Sequence, residues 1–395
     1  MSSSSFSHGA RPATGETSVG DREPVPTGTP APAQGTSRST RLVALLLAFV
    51  VLAGFAACDE PGGDHRRRNR NSSGEGIWIS EAELARLPTS GPAWDGVVEA
   101  ANSAGAANLA DQDSDGDVNA MAAGLVYART GDNAYRTKAA QAVMGAVGTE
   151  SGGRTLALGR NLVSYVIAAD LIDLASFDSG MEGRFRSWLG RVRSTTVDGK
   201  TLIETHEGRP NNWGTHAGAS RAAIAAYLGD RAELNRVNQV FTGWTGDRGA
   251  YAGFDYGDLS WQANPASPVG VNPAGASREG VDIGGALPEE MRRGGGLSAN
   301  PGSTGYPWGG IEGAVVTAQI LERHGYDAFG SGNQALRRSV QFLADLDARE
   351  GGWWVSNDDE YVPWMINKAY GTRFPVSAEI GEGKNMGFTN WTHSR

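Results

Sequence analysis

Two adjacent amides, an indole and an imidazole fall within Arg209-Pro210-Asn211-Asn212-Trp213-Gly214-Thr215-His216, directly ahead of an apolar stretch from Ala217 to Leu228. Asn is a favoured N-cap because its side-chain oxygen accepts from the orphan N–H groups of a first helical turn. Capping needs one such residue. Asn211, Asn212, Trp213 and His216 together exceed that need and suit binding and proton chemistry. His216 follows Asn212 by one helical turn, so both face one cleft if the helix begins at Asn212. The plain alternative for His216 is a structural imidazole.

A second constellation runs from Asp282 to Gly294 and contains Glu289-Glu290 followed by Arg292-Arg293, with Gly on both sides. Tyr306-Pro307-Trp308 follows and leads into an apolar run from Ile311. Glu and Arg three residues apart make surface ion pairs. In a Gly-rich loop they also suit presentation of Arg292 or Arg293 to a carboxylate, which guanidinium grips in bidentate fashion. Trp213, Trp308, Trp353 and Trp354 are candidate platforms for sugar rings, with core packing as the alternative for each. Of the six histidines, His324 sits at a helix–helix turn and suits a C-cap. Asp111 to Asp117 opens like a calcium loop, but its twelfth position is Ala122, without the bidentate Glu. It reads as an acidic loop capping the next helix, not as a metal site.

The elements around these residues repeat. An apolar helix over Val118–Arg129, a break at Thr130-Gly131-Asp132 and a helix over Asn133–Val147 form one pair. Arg160–Leu174 with Met181–Val192, Ala217–Tyr227 with Arg231–Phe241, and Ile311–Arg323 with Asn333–Leu346 form three more. Gly ends a helix and Asp caps its successor. Short connections make each pair antiparallel. One member is small and apolar all round, as in Ala217-Gly218-Ala219-Ser220 and Gly313-Ala314-Val315-Val316, and is therefore buried. The other carries Arg, Lys and Glu. Inner and outer helices in alternation predict an all-α fold, an α/α toroid, open or closed. Its long loops lie over one face, above all residues 243–310. A segment rich in Trp, Tyr and Asn closes the chain.

The chain has 395 residues, 39% hydrophobic and 20% charged, with net charge −9. That balance argues against nucleic acid as a partner but leaves room for a local Arg cluster that holds an acidic substrate. Residues 1–40 are rich in Ser, Gly, Pro and Thr. Arg38 and Arg41 flank an apolar run from Leu42 to Ala57, shorter than the ~20 residues of a membrane span and suited to a signal h-region. Phe55-Ala56-Ala57-Cys58 resembles a bacterial lipobox, with Phe where Leu is usual, and Cys58 is the only cysteine. Export is expected, to secretion or to the outer face of the cell membrane through lipid on Cys58. Residues 59–76 read as a flexible tether and 77–395 as a single catalytic domain. Oligomeric state is not legible.

The sequence resembles the bacterial alginate-lyase-like polysaccharide lyases. These have an α/α toroid, an Asn-Asn-His segment at an inner helix, and a Gly-x-x-Pro-x-Glu-x-x-Arg segment with a Tyr beyond it. Asn211-Asn212 matches the first segment. Gly285, Pro288, Glu290 and Arg293 match the second, and Tyr306 is the candidate Tyr. Trp213 stands where many members have His, the nearest imidazole being His216, and residues 294–304 separate Arg293 from Tyr306 more widely than usual. The resemblance implies β-elimination from a uronic-acid polysaccharide, without metal or organic cofactor. On this scheme Asn212 and Arg293 neutralise the carboxylate, with Tyr306 and His216 as acid, base or carboxylate partner. Two alternatives remain. One is an α/α-toroid glycoside hydrolase drawing two carboxylates from Asp282, Glu289, Glu290, Asp358 and Asp359. The other is a surface glycan-binding lipoprotein that has lost catalysis.

Overall fold

The computed structural model describes residues 76–378, 381 and 383–394. The leader, Cys58 and residues 59–75 of the tether lie outside the described residues. In chain order the helices are α1 (Glu81–Leu84), α2 (Pro92–Ser103), α3 (Gly116–Thr130), α4 (Asn133–Ala146), α5 (Thr155–Leu171), α6 (Leu174–Phe177), α7 (Ser179–Val192) and α8 (Leu202–Gly208). They continue with α9 (Asn212–Leu228), α10 (Arg231–Trp244), α11 (Pro288–Met291), α12 (Tyr306–Arg323), α13 (Ser331–Glu350), α14 (Val362–Tyr370) and α15 (Thr389–Thr392). The strands among the described residues are the two-residue β1 (Ser277–Arg278) and β2 (Val281–Asp282), paired antiparallel. The all-α expectation therefore holds.

The Gly-Asp breaks work as their chemistry dictates. Gly131 and Gly229 end α3 and α9 in the left-handed region, where a Cβ is penalised. Asp132 and Asp230 then cap α4 and α10 through their carboxylates. At the α6–α7 junction the cap is Asp178, which accepts from the N–H groups of Gly180 and Met181. His324 is the C-cap of α12, and its Nδ1 lies 2.8 Å from the carbonyl of Ile320.

α3, α5, α9 and α12 are buried along most of their length, whereas α7, α10 and α13 bury one stripe each. Small residues let the inner helices approach closely. A Cβ on Gly313 would stand 2.3 Å from the backbone N of His216, and one on Gly159 2.9 Å from that of Ala217. Gly313 meets Thr215 and His216 while Thr317 lies beside Gly218, so α9 and α12 run in the same direction. Around the core α2 packs on α3, α3 on α5, α5 on α9, α9 on α12, α12 on α14, α14 on α15, and α15 back on α2. Trp391 fastens the return: its Nε1 donates to the carbonyl of Pro88 at 2.9 Å and its ring lies 5.2 Å from that of Trp94.

Three inner helices start earlier than apolar periodicity predicts. α5 begins at Thr155 and not Arg160, α9 at Asn212 and not Ala217, and α12 at Tyr306 and not Ile311. The first turns of α9 and α12 carry polar, Gly and Pro residues that an apolar pattern cannot register, whereas that of α5 is mostly apolar. Among the described residues no helix is long and apolar enough to cross a membrane.

Candidate active site

The two chemically loaded segments meet at the start of α9. Asn211 is its N-cap, and the side chain accepts from Trp213 N–H at 3.2 Å. Asn212 is buried, and its backbone N–H donates to the Glu290 carboxyl. The segment carrying Glu290 turns at Gly285, whose φ is +92° and where a Cβ would stand 2.4 Å from the Arg338 carbonyl. Pro288 then opens the short helix α11, its fixed φ suited to a first helical turn. This turn puts Glu290 against α9 and Arg293 beside Tyr306, with the guanidinium carbon 4.3 Å from the phenol ring centroid.

Tyr306 is the first residue of α12 and 38% exposed. Tyr306, Gly309 and Gly313 follow i, i+3, i+7 spacing and share one helix face. A Cβ on Gly309 would lie 3.6 Å from Asn212 Nδ2. The phenol therefore stands about one helical turn along α12 from the point where that helix meets Asn212. Asn212 Oδ1 is buried without a hydrogen-bond partner among the described residues. Burial pushes the Glu290 carboxyl up to about 8, against the lowering pull of the Asn212 N–H and of Arg293.

His216 lies one turn below Asn212, with no exposure at all. Asn385 Nδ2 is 2.9 Å from its Nδ1, and Glu312 Oε2 is 3.4 Å from its Nε2. Burial first, then Arg160 and Lys384 nearby, hold the imidazole well below its usual range, so it is neutral. With Asn385 donating to Nδ1, the single ring proton sits on Nε2 and faces Glu312. Asn385 Oδ1 accepts from Tyr361 O–H at 2.5 Å, and its carbonyl accepts from Ser164 Oγ at 2.7 Å. Glu312 and Asp359 face one another. Burial raises both carboxyls, and each also feels the other, Glu312 being the one raised well above its usual range.

The remaining predicted residues are spread out. Arg292 pairs with Glu289 at 2.9 Å, and Glu289 also accepts from Gly257 N–H, which is the ion-pair alternative read in the sequence. Trp308 and Trp353 are buried at 2% exposure each. Trp308 Nε1 donates to the Trp353 carbonyl at 2.8 Å, so both rings serve the core. Trp354 is half-buried, edge-on to Trp308 at 5.3 Å. Trp213 is half-buried between the guanidinium groups of Arg154 and Arg209. Asp282 accepts from Gly284 N–H in the hairpin, and Asp358 pairs with Lys384 at 3.3 Å. His206 is buried against Arg221, and His393 against Trp78. In the acidic loop Asp111 accepts from Asp113 N–H, while Asp115, the N-cap of α3, makes no side-chain cap bond.

Sequence reasoning missed Arg160, Glu312, Tyr361 and Asn385. For Glu312 a signal existed: a lone carboxylate inside Ile311-Glu312-Gly313-Ala314-Val315-Val316, where burial leaves it no solvent. Arg160 after Leu156-Ala157-Leu158-Gly159 is a second case. Tyr361 and Asn385 reach the site only through tertiary packing.

Fold and site together define an all-α protein of paired helices that brings amide, guanidinium and phenol together where two inner helices begin. Residues 90–248 match the family model described as alginate lyase. Over this stretch, which runs from α2 to α10 and includes Asn212, Trp213 and His216, the chain is alginate-lyase-like, which supports a polysaccharide lyase acting on a polysaccharide substrate. Arg293 and Tyr306 lie beyond the matched residues. No curated protein and no solved structure matches the chain.

Proposed function

We propose that the protein cleaves a uronic-acid-containing polysaccharide, of alginate or glucuronan type, by β-elimination. The observation that carries this reading is the docking of Glu290 on Asn212 N–H, which brings Arg293 and Tyr306 to the mouth of α9. The C5 proton of a uronate is weakly acidic, so its carboxylate must be neutralised before the proton can leave. Asn212 and Arg293 do this with hydrogen bonds that strengthen as enolate-like charge develops. Tyr306 is exposed and touches Arg293, so it is placed to take the C5 proton and to return one to the bridging oxygen. The C5–H electrons form the C4–C5 double bond, the C4–O bond breaks, and the leaving oxygen is protonated. His216, buried beneath Asn212, acts through position: it fixes the first turn of α9 against α12. The scheme calls on no cofactor.

The hydrolase alternative is weaker here. Of the carboxylates it would draw on, Glu289 pairs with Arg292, Asp358 pairs with Lys384, and Asp282 accepts from Gly284 N–H in the hairpin. Incubating the purified full chain with alginate, glucuronan, hyaluronan and pectate decides the matter. Absorbance from unsaturated ends supports the lyase. Reducing ends without that absorbance mean hydrolysis, and binding with unchanged chain length means a glycan-binding protein. Export and lipidation at Cys58 belong to the same proposal, and mass spectrometry of the mature N-terminus tests them.

A further inference from the structure

Trp213 carries more positive charge against its ring than a neighbour of Asn212 requires. The guanidinium carbons of Arg154 and Arg209 lie 4.5 and 4.4 Å from its centroid. Arg154 is the exposed N-cap residue of α5, with no side-chain cap bond, and Arg209 is the half-buried C-cap of α8. Among the described residues neither side chain makes a salt bridge or a hydrogen bond. Other ring-stacked arginines in the molecule are tied to oxygen. Arg136 beside Tyr127 donates to the carbonyls of Ile172 and Asp173, Arg231 beside Tyr326 to that of His324, and Arg236 beside Tyr251 to Glu207.

Two like charges drawn to one indole, with no acid between them, repel one another until an anion arrives. Stacking on the ring also limits the rotamers of both side chains, so less freedom is lost when they take a ligand. The position matters as much as the charge. Trp213 follows Asn212 in the first turn of α9, and α5 packs directly on α9. The cluster therefore adjoins the carboxylate site of Asn212 and Arg293.

We propose that Arg154, Trp213 and Arg209 form a second anionic subsite that takes the carboxylate of a sugar neighbouring the one at Asn212. The proposal rests on the lyase reading and assigns to named residues the recognition of consecutive uronates on alginate- and glucuronan-type chains. Chains that alternate a uronate with a neutral sugar leave the two guanidiniums unmatched.

The test compares the full chain with Arg154→Gln/Arg209→Gln on polyglucuronate and on hyaluronan, reading initial rates from unsaturated ends and oligosaccharide binding by calorimetry. The expected result is a KM on polyglucuronate raised about tenfold with kcat much less affected, a shallower salt dependence, and little change on hyaluronan. Arg154→Lys/Arg209→Lys is expected to fall between, because charge is kept and the planar fork is lost. An unchanged KM, or an equal loss on both polymers, overturns the subsite, as does a wild-type preference for hyaluronan. Thermal midpoints near wild type show that the variants fold. If the wild type binds polyglucuronate without cleaving it and the Gln variant loses that binding, the subsite stands and the lyase reading fails. If the wild type cleaves and the Gln variant behaves identically, the lyase reading stands and the subsite fails.

Discussion

Tyr306 and Asn212 come from different helices, yet each helix begins at its own proposed site residue. Replacing Tyr306 by Phe keeps the ring beside Arg293 and removes the proton-carrying oxygen. A kcat loss of about 10²–10⁴ with little change in KM is expected, measured as absorbance on a cleaved polyuronate. Asn212→Ala removes a donor to the developing enolate and is expected to lower kcat about 10²–10³-fold. Glu290 gives a pH signature. Its folded value is about 8 against an ordinary 4.5, so the folded state binds the proton more tightly than the unfolded chain. The stability this supplies is full below pH 4.5 and is lost as pH rises through 8. Melting temperatures taken across that window are expected to fall less steeply in Glu290→Gln, which keeps an acceptor for the Asn212 N–H. Asn212, Arg293 and Tyr306 were legible because polar residues in Gly- and Pro-punctuated segments stand out locally. Glu312 and Asn385 were not, because a buried polar residue shows its purpose only beside a partner distant in sequence.

At the scale of elements, glycine sets the spacing on which the site depends. Gly313 lets α12 lie against the first turn of α9, with Thr215 O 2.6 Å from where a Cβ would be. Gly313→Ala is expected to cost about 1–3 kcal/mol through overpacking, read by urea denaturation. Because that contact also holds Tyr306 relative to Asn212, kcat should fall in the same variant; full activity would show that α12 tolerates displacement. The hairpin plan was readable from sequence, since Gly-Asp breaks and alternating apolar and charged helices are local signals. Starts of α5, α9 and α12 were misplaced by one turn or so, in α9 and α12 because their first turns carry polar, Gly and Pro residues. The short helix α11 was hidden inside a Gly-rich loop, although Pro288 followed by acids is a helix-start pattern.

Across the whole molecule, Trp391 links the last described helix to the first ones. It is 1% exposed, donates to Pro88 and stacks near Trp94. Trp391→Ala is expected to lose about 3–5 kcal/mol, measured by chemical denaturation. No sequence pattern announced this contact, because a circuit of neighbours is a property of all the helices together. The circuit also sets a timetable. Asn385 joins His216 across 169 residues and Trp391 joins Pro88 across 303. A chain emerging from the ribosome can form its early hairpins in turn, but the interior beneath Asn212 stays unfinished until Asn385 has appeared. Contacts so distant in sequence also slow folding once the whole chain is present. A nascent polypeptide of this kind lacks a complete candidate site until the segment around Asn385 has been made.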